Sequence, residues 1–157
     1  YAAAEYGVGY MLSEGLCPDL HYQTAFDWYH KAAAQGYAAA QYSLGNMYYD
    51  GKGATKNFSK AMDMYLQAAN QGHVSATRCV GRMYCFGQGV TQNYFTAAEW
   101  YLKAAVQGDR EAQDALAVLY VTGLGVPADK TKAIEWYQKA VDGGYIDAQN
   151  TLDRLEE

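Results

Sequence analysis

The sequence predicts an all-α fold, an α/α superhelical solenoid of four helix-turn-helix repeats with a capping helix at the end. Three observations carry that reading: a 36-residue period that runs without a gap, two amphipathic halves inside each period, and glycines that recur at the same places in every copy. The repeats fall at 1–36, 37–72, 73–108 and 109–144, leaving 145–157 for the cap, so the 157 residues read as a single repeat domain.

The first half of each period builds a helix. Ala4, Val8, Met11 and Leu12 recur as Ala40, Leu44, Met47 and Tyr48, then as Ala76, Val80, Met83 and Tyr84, then as Ala112, Leu116, Leu119 and Tyr120. Spacings of four, three and one put each set on one helical stripe. The helix stops at Gly15, Gly51, Gly87 and Gly123, where a positive φ closes the turn at no steric cost. A second glycine two positions on, at Gly53, Gly89 and Gly125, tightens the loop.

The second helix begins at Asn57, Asn93 and Asp129, whose side chains can accept a hydrogen bond from an orphan backbone N–H; His21 holds that place in the first copy. Its stripe is Ala25, Trp28, Tyr29 and Ala32, recurring with Trp100/Tyr101 and Trp136/Tyr137, and with Met64 replacing the tryptophan beside Tyr65. The tryptophan column therefore reads as core. Gly36, Gly72, Gly108 and Gly144 end it. On the outer face Asp27 with Lys31, Glu99 with Lys103 and Glu135 with Lys139 stand at i,i+4 in the favourable acid-first order, a solvated face without function. In the last helix Asp153 replaces the small residue of Gly9, Gly45, Gly81 and Ala117, and Glu156 replaces the aromatic, while Leu152 and Leu155 keep the inner stripe. That is the pattern of a polar cap.

Composition narrows the function classes. Half the residues are hydrophobic and 18% are charged, which supplies a core and rules out intrinsic disorder. A formal net charge of −5 repels phosphate backbones, so nucleic acid is not an expected partner. No apolar run approaches the roughly 18 residues of a membrane span, so no membrane insertion is expected. The chain opens on Tyr1, which places its natural start upstream and removes any weight from the missing signal peptide. Cys17, Cys79 and Cys85 are an odd count without close spacing. They favour reduced thiols and a reducing compartment over a disulfide framework, with one bridge in a secreted, periplasmic or ER-lumen setting still open.

The repeated motif A-x-x-x-[LV]-G-x-M-Y, then G-x-G-V, then A-x-[DE]-W-Y-x-K-A-A-x-Q-G resembles the Sel-1-like repeat family over all 157 residues. The extra residues in the G-x-G loop set it apart from 34-residue tetratricopeptide repeats. The resemblance implies a solenoid whose first helices line a concave groove that holds peptides or partner proteins, and a family that rarely carries catalysis. A cysteine-rich branch of the family staples its repeats at positions where this chain has Ala33, Ala69, Ala105 and Thr77, so the resemblance does not extend to that branch or to the penicillin binding attributed to it.

At 100° per residue Tyr6, Tyr10 and Ser13 fall opposite the first core stripe. The same places hold Tyr42, Asn46 and Tyr49, then Arg78, Arg82 and Cys85, then Asp114, Val118 and Val121. Because the resemblance turns this face into the groove, Tyr6, Tyr10, Tyr42, Asn46, Tyr49, Arg78, Arg82 and Cys85 form the expected partner site. Tyrosine and arginine supply area and directed hydrogen bonds at modest entropic cost. Two arginines at i,i+4 repel, and that placement invites an acidic or carboxylate group on the partner. The competing reading packs the tyrosines against neighbouring repeats and pairs the arginines with Asp114.

His21, His30 and His73 lack metal-ligand spacing, and no catalytic constellation, phosphate loop or cofactor motif is present. The expectation is therefore no metal, no cofactor and no catalytic residue. A scaffold or adaptor that binds a peptide or protein segment in its groove comes first. A homo-oligomerising module comes second, because the Ala2/Ala3/Ala4 edge has no preceding helix to cover it, an edge that an upstream repeat would explain equally well. A hydrolase with Cys85 as nucleophile is the remote third, for want of a general base.

Overall fold

A computed structural model describes residues 1–14 and 18–157. Gly15 and Cys17, assigned above to a turn and a reduced thiol, lie outside the described residues. The chain is all-α as its periodicity predicts: among the described residues there are nine α-helices and no strand. It divides into two compact units, one of Tyr1–Ala76 with Gln88–Val90 and one of Thr77–Gly87 with Thr91–Glu157.

The first unit contains α1 (Ala2–Ser13), α2 (Pro18–Ala34), α3 (Ala38–Asp50) and α4 (Phe58–Asn70), each packed on the next. Its core joins Ala25, Tyr29 and Ala32 of α2 to Ala40, Leu44 and Met47 of α3. α5 (Val74–Phe86) starts in this unit and continues into the second. The second unit adds α6 (Tyr94–Ala105), α7 (Arg110–Thr122), α8 (Lys130–Asp142), a 3-10 turn at Ile146–Ala148 and α9 (Gln149–Glu156). Here Ala117, Tyr137, Ala140, Ala148 and Leu152 close the core, and the full burial of Leu116 and Leu152 is worth about 1.5–3 kcal/mol each.

The turn chemistry follows the residues that announce it. Gly51 and Gly123 cap α3 and α7 at φ 76° and 72°. The second loop glycines do more than tighten the turn, because each lets a loop press onto the start of the preceding repeat's second helix. A Cβ at Gly89 would stand 2.6 Å from the Phe58 carbonyl carbon, and Gly53 and Gly125 meet the backbone of Tyr22 and Tyr94 more closely still. Backbone N–H groups of Lys60, Thr96 and Lys132 donate to Asn57, Asn93 and Asp129 at 2.9–3.1 Å.

Four expectations are corrected. α2 begins at Pro18, so His21 lies inside the helix rather than at its cap. The first copy of the stripe is not core throughout: Ala4 is exposed and Met11 is 68% exposed, whereas Ala40 and Met47 are buried. The cause is that α3 is packed by both α2 and α4, whereas α1 packs mainly on α2 among the described residues. The tryptophans are half-buried, and Tyr29, Tyr65, Tyr101 and Tyr137 beside them are the buried column. Finally, Lys31, Lys103 and Lys139 extend over the rings of Trp28, Trp100 and Trp136, at 4.5, 4.2 and 4.0 Å from the centroids, instead of pairing with the acids at i−4. An aromatic face one turn back offers the ammonium an attractive surface that also shields the half-buried ring from water.

Candidate functional site

The first-helix face carries a separate pocket in each unit. In the first unit a 280 Å³ hollow is lined by Tyr6, Tyr10 and Ser13 of α1 and by Tyr42, Ser43 and Asn46 of α3, with Tyr22 and Tyr29 of α2 behind them. These tyrosines hold one another. Tyr6 packs at 5.5 Å from Tyr29 and 5.2 Å from Tyr37, and stacks on Tyr10 at 6.3 Å. Tyr42 stacks on His73 at 4.6 Å. Asn46 accepts a hydrogen bond from the buried Tyr65 hydroxyl at 2.8 Å, which aims its amide. Tyr10 remains 53% exposed. Glu14, Asp50 and Lys52 set the polar edge, Lys52 reaching Asp50 at 3.9 Å.

Tyr49 is not part of this lining. It shares a helical face with Tyr42 but stands seven residues on, about 10 Å along the axis, where it meets Phe58 at 5.1 Å and donates to Gln88 at 2.9 Å. The structure thus brings together Tyr6, Tyr10, Tyr42 and Asn46. Tyr22 and Tyr29 join them, and the second-helix stripe had marked Tyr29 as core alone.

The second unit has a 310 Å³ pocket lined by Arg78, Arg82, Cys85, Tyr101, Asp114 and Val118 among others. Arg78 is held by two carboxylates of the next repeat, Asp109 at 3.2 Å and Glu111 at 2.5 Å, rather than by Asp114. Its side chain is only 17% exposed, so its charge is largely offset. Asp109 also accepts from the Ala112 N–H at 2.8 Å, capping α7 and fixing the carboxylate for Arg78. Burial, then the charges of Asp147 and Glu111, push the Asp114 carboxyl above its ordinary range. Burial raises the Tyr137 hydroxyl to about 12, with Asp114 adding to the shift.

Both described thiols are unpaired. Burial raises Cys79 and Cys85, and a hydrogen bond with Tyr101 only partly offsets the shift at Cys85. A thiol held protonated is the reverse of an activated nucleophile. Among the described residues no three His, Cys, Asp or Glu side chains gather as a metal ion would require. No helix among them is long and apolar enough to cross a membrane. His73 has a use that spacing did not announce: its Nδ1 accepts from the Ala76 N–H at 3.2 Å and caps α5. Burial holds this imidazole below its ordinary pKa.

Comparison with known proteins places these features. A family model described as Sel1 repeat matches residues 2–37, 38–73, 79–109 and 110–145. A protective antigen of uropathogenic Escherichia coli with an SLR fold superposes with a TM-score of 0.91 at 37% identity, over 97% of this chain and 32% of that one. A Sel1 repeat protein from Oxalobacter formigenes gives a TM-score of 0.91 at 33% identity, over 98% of this chain and 63% of its own. The chain thus spans about a third and under two thirds of these two structures. Cysteine-rich protein B of Helicobacter pylori shares the fold at 23% identity and a TM-score of 0.66, over 89% of this chain and 99% of that one. No curated protein sequence matches the chain.

Proposed function

The chain belongs to the Sel1 repeat family, whose members are in general protein-interaction scaffolds, and from that premise we propose that it binds a protein or peptide segment on its first-helix face. The observation that carries this reading is the tyrosine-lined hollow of the first unit. Mutually packed tyrosines are rigid, amphipathic and already ordered, so a partner gains contact area without freezing new side chains. Tyr6, Tyr10 and Tyr42 make the apolar contacts there, and the Asn46 amide supplies a hydrogen-bonding group. Tyr49 supports the loop at Gln88.

The pocket of the second unit takes a carboxylate or acidic side chain. Arg78 and Arg82 are the cations lining it, Arg78 steadied by Asp109 and Glu111, and Cys85 shapes the wall. Burial raises the Cys85 thiol, which speaks against its use as a nucleophile. Peptides selected from a random library should bind the intact protein; those seated in the tyrosine hollow should lose at least tenfold in affinity, about 1.4 kcal/mol, on Tyr42→Ala, those seated in the second unit's pocket should lose as much on Arg82→Ala, and Lys31→Ala should leave both unaffected. Calorimetry that finds equal affinity for all three variants overturns the assignment.

A further inference from the structure

A second pocket of the first unit lies between α2 and α4 and shares no residue with the tyrosine hollow. Its floor is Ala33, Leu44 and Met64, with Tyr48 as one wall, and it measures 290 Å³. The repeat pattern says what is absent from it. Trp28, Trp100 and Trp136 occupy one column, each with the lysine at i+3 over the ring, and each is half-buried. In the second repeat that column holds Met64, and the lysine's place holds Gln67.

Both replacements vacate space. Met64 is a narrower side chain than an indole, packed against the α2 and α3 core. Gln67 does not arch over the column but accepts a hydrogen bond from the buried Gln41 at 3.3 Å. What remains is a slot with an apolar floor and polar groups only at its mouth. An apolar cavity of about 150 Å³ is enough to hold a benzene ring, so this one accommodates a bicyclic ring.

We propose that the Met64 pocket is a socket for a tryptophan side chain presented by a partner protein segment, supplying from outside the indole that the other repeats supply from within. His30, Ala34, Lys60 and Asp63 around the mouth are all exposed, so an entering ring keeps its backbone outside, as a side chain must and a free small molecule need not. Lys60, already 5.3 Å over the Tyr48 ring, stands where its ammonium meets the face of an arriving indole, and Asp63 is placed to accept the indole N–H. This site is independent of the first-helix face and stands or falls apart from it.

The test uses the intact protein with labelled methionine methyls and N-acetyl-L-tryptophanamide as the probe, with indole and N-acetyl-L-leucinamide alongside. The tryptophanamide should shift the Met64 methyl by its ring current, saturably and in the millimolar range expected of so small a ligand, without moving Met83; the leucinamide should not shift it. Ala34→Leu narrows the mouth from an exposed position without disturbing the core, and should weaken binding at least tenfold. Met64→Trp should abolish it, read on the Leu44 methyls, and should raise the melting temperature by filling the slot. A Met64 methyl that does not move overturns the proposal. So does binding that survives Ala34→Leu, or a shift with indole but none with the tryptophanamide, which would mark a small-molecule cavity instead of a side-chain socket.

Discussion

Gly45 faces the ring of Tyr65 so closely that a Cβ on it would stand 2.5 Å from the ring's Cε1. The ring cannot give way, because Tyr65 is fully buried and its hydroxyl is bonded to Asn46. The same pairing recurs at Gly9 with Tyr29 and Gly81 with Tyr101, and sets how closely the two helices of a repeat approach.

Gly45→Ala should therefore destabilise the protein by about 1–3 kcal/mol, the cost of an overpacked core. Gly7→Ala is the control, since nothing lies within 4 Å of its added methyl. There the helix propensity of alanine should prevail and stabilise by about 0.5–1 kcal/mol. Urea denaturation of both variants checks the opposite signs.

His73 should make stability fall in mild acid. Its Nδ1 can accept the Ala76 N–H only when the imidazole is neutral, and burial lowers its folded pKa below the ordinary 6.5. A depressed folded pKa gives a contribution that is complete above the unfolded value and is lost as pH falls from about 6.5 through the lower folded value. His73→Asn keeps a capping side chain without the titration. The difference in unfolding free energy between the two proteins should change between neutral pH and about pH 5. A constant difference would refute the assignment.

Asp114 should act in the opposite sense. Its folded pKa is raised by burial and by the neighbouring acids, so its contribution is present below the unfolded value of about 3.8 and is lost as pH rises through the folded value. Asp114→Asn should accordingly be more stable than the parent at pH 7, with the advantage fading below about pH 4. Thermal melts across pH measure it.

The lysines that lie over indoles should matter more than the acids one turn from them. Lys139→Met retains the stem and removes the charge 4.0 Å from the Trp136 ring, and should cost about 0.5–1 kcal/mol. Glu135→Gln should cost no more than a few tenths of a kcal/mol. Chemical denaturation separates the two.

What was legible in the sequence was local. Asn57, Asn93 and Asp129 cap their helices because the signal and the structure lie within three residues of each other. The caps of the first helices were harder to see because their column reads Tyr1, Tyr37, His73 and Asp109, and only the last two side chains accept a cap hydrogen bond. The partners of Arg78 lie 31 and 33 residues away in the next repeat, beyond any spacing rule on one helix. Tyr49 misled for the converse reason: angle alone groups it with Tyr42, and axial distance separates them. For the lysines two neighbours compete, an acid at i−4 and a ring at i−3, and the sequence does not rank them.

The glycines that seat each loop on the preceding repeat bear on how such a chain can be inherited. Gly53 meets Tyr22, Gly89 meets Phe58 and Gly125 meets Tyr94, so every joint spans the same 31 positions and is made by the same column pair. A duplication of 36 consecutive residues, wherever its breakpoints fall, regenerates a complete joint, while one of 35 or 37 with a breakpoint inside a helix shifts the glycine column off its partner. Gene copying in whole repeats thus lengthens or shortens the chain with every joint intact, leaving each copy free to diverge on its surfaces.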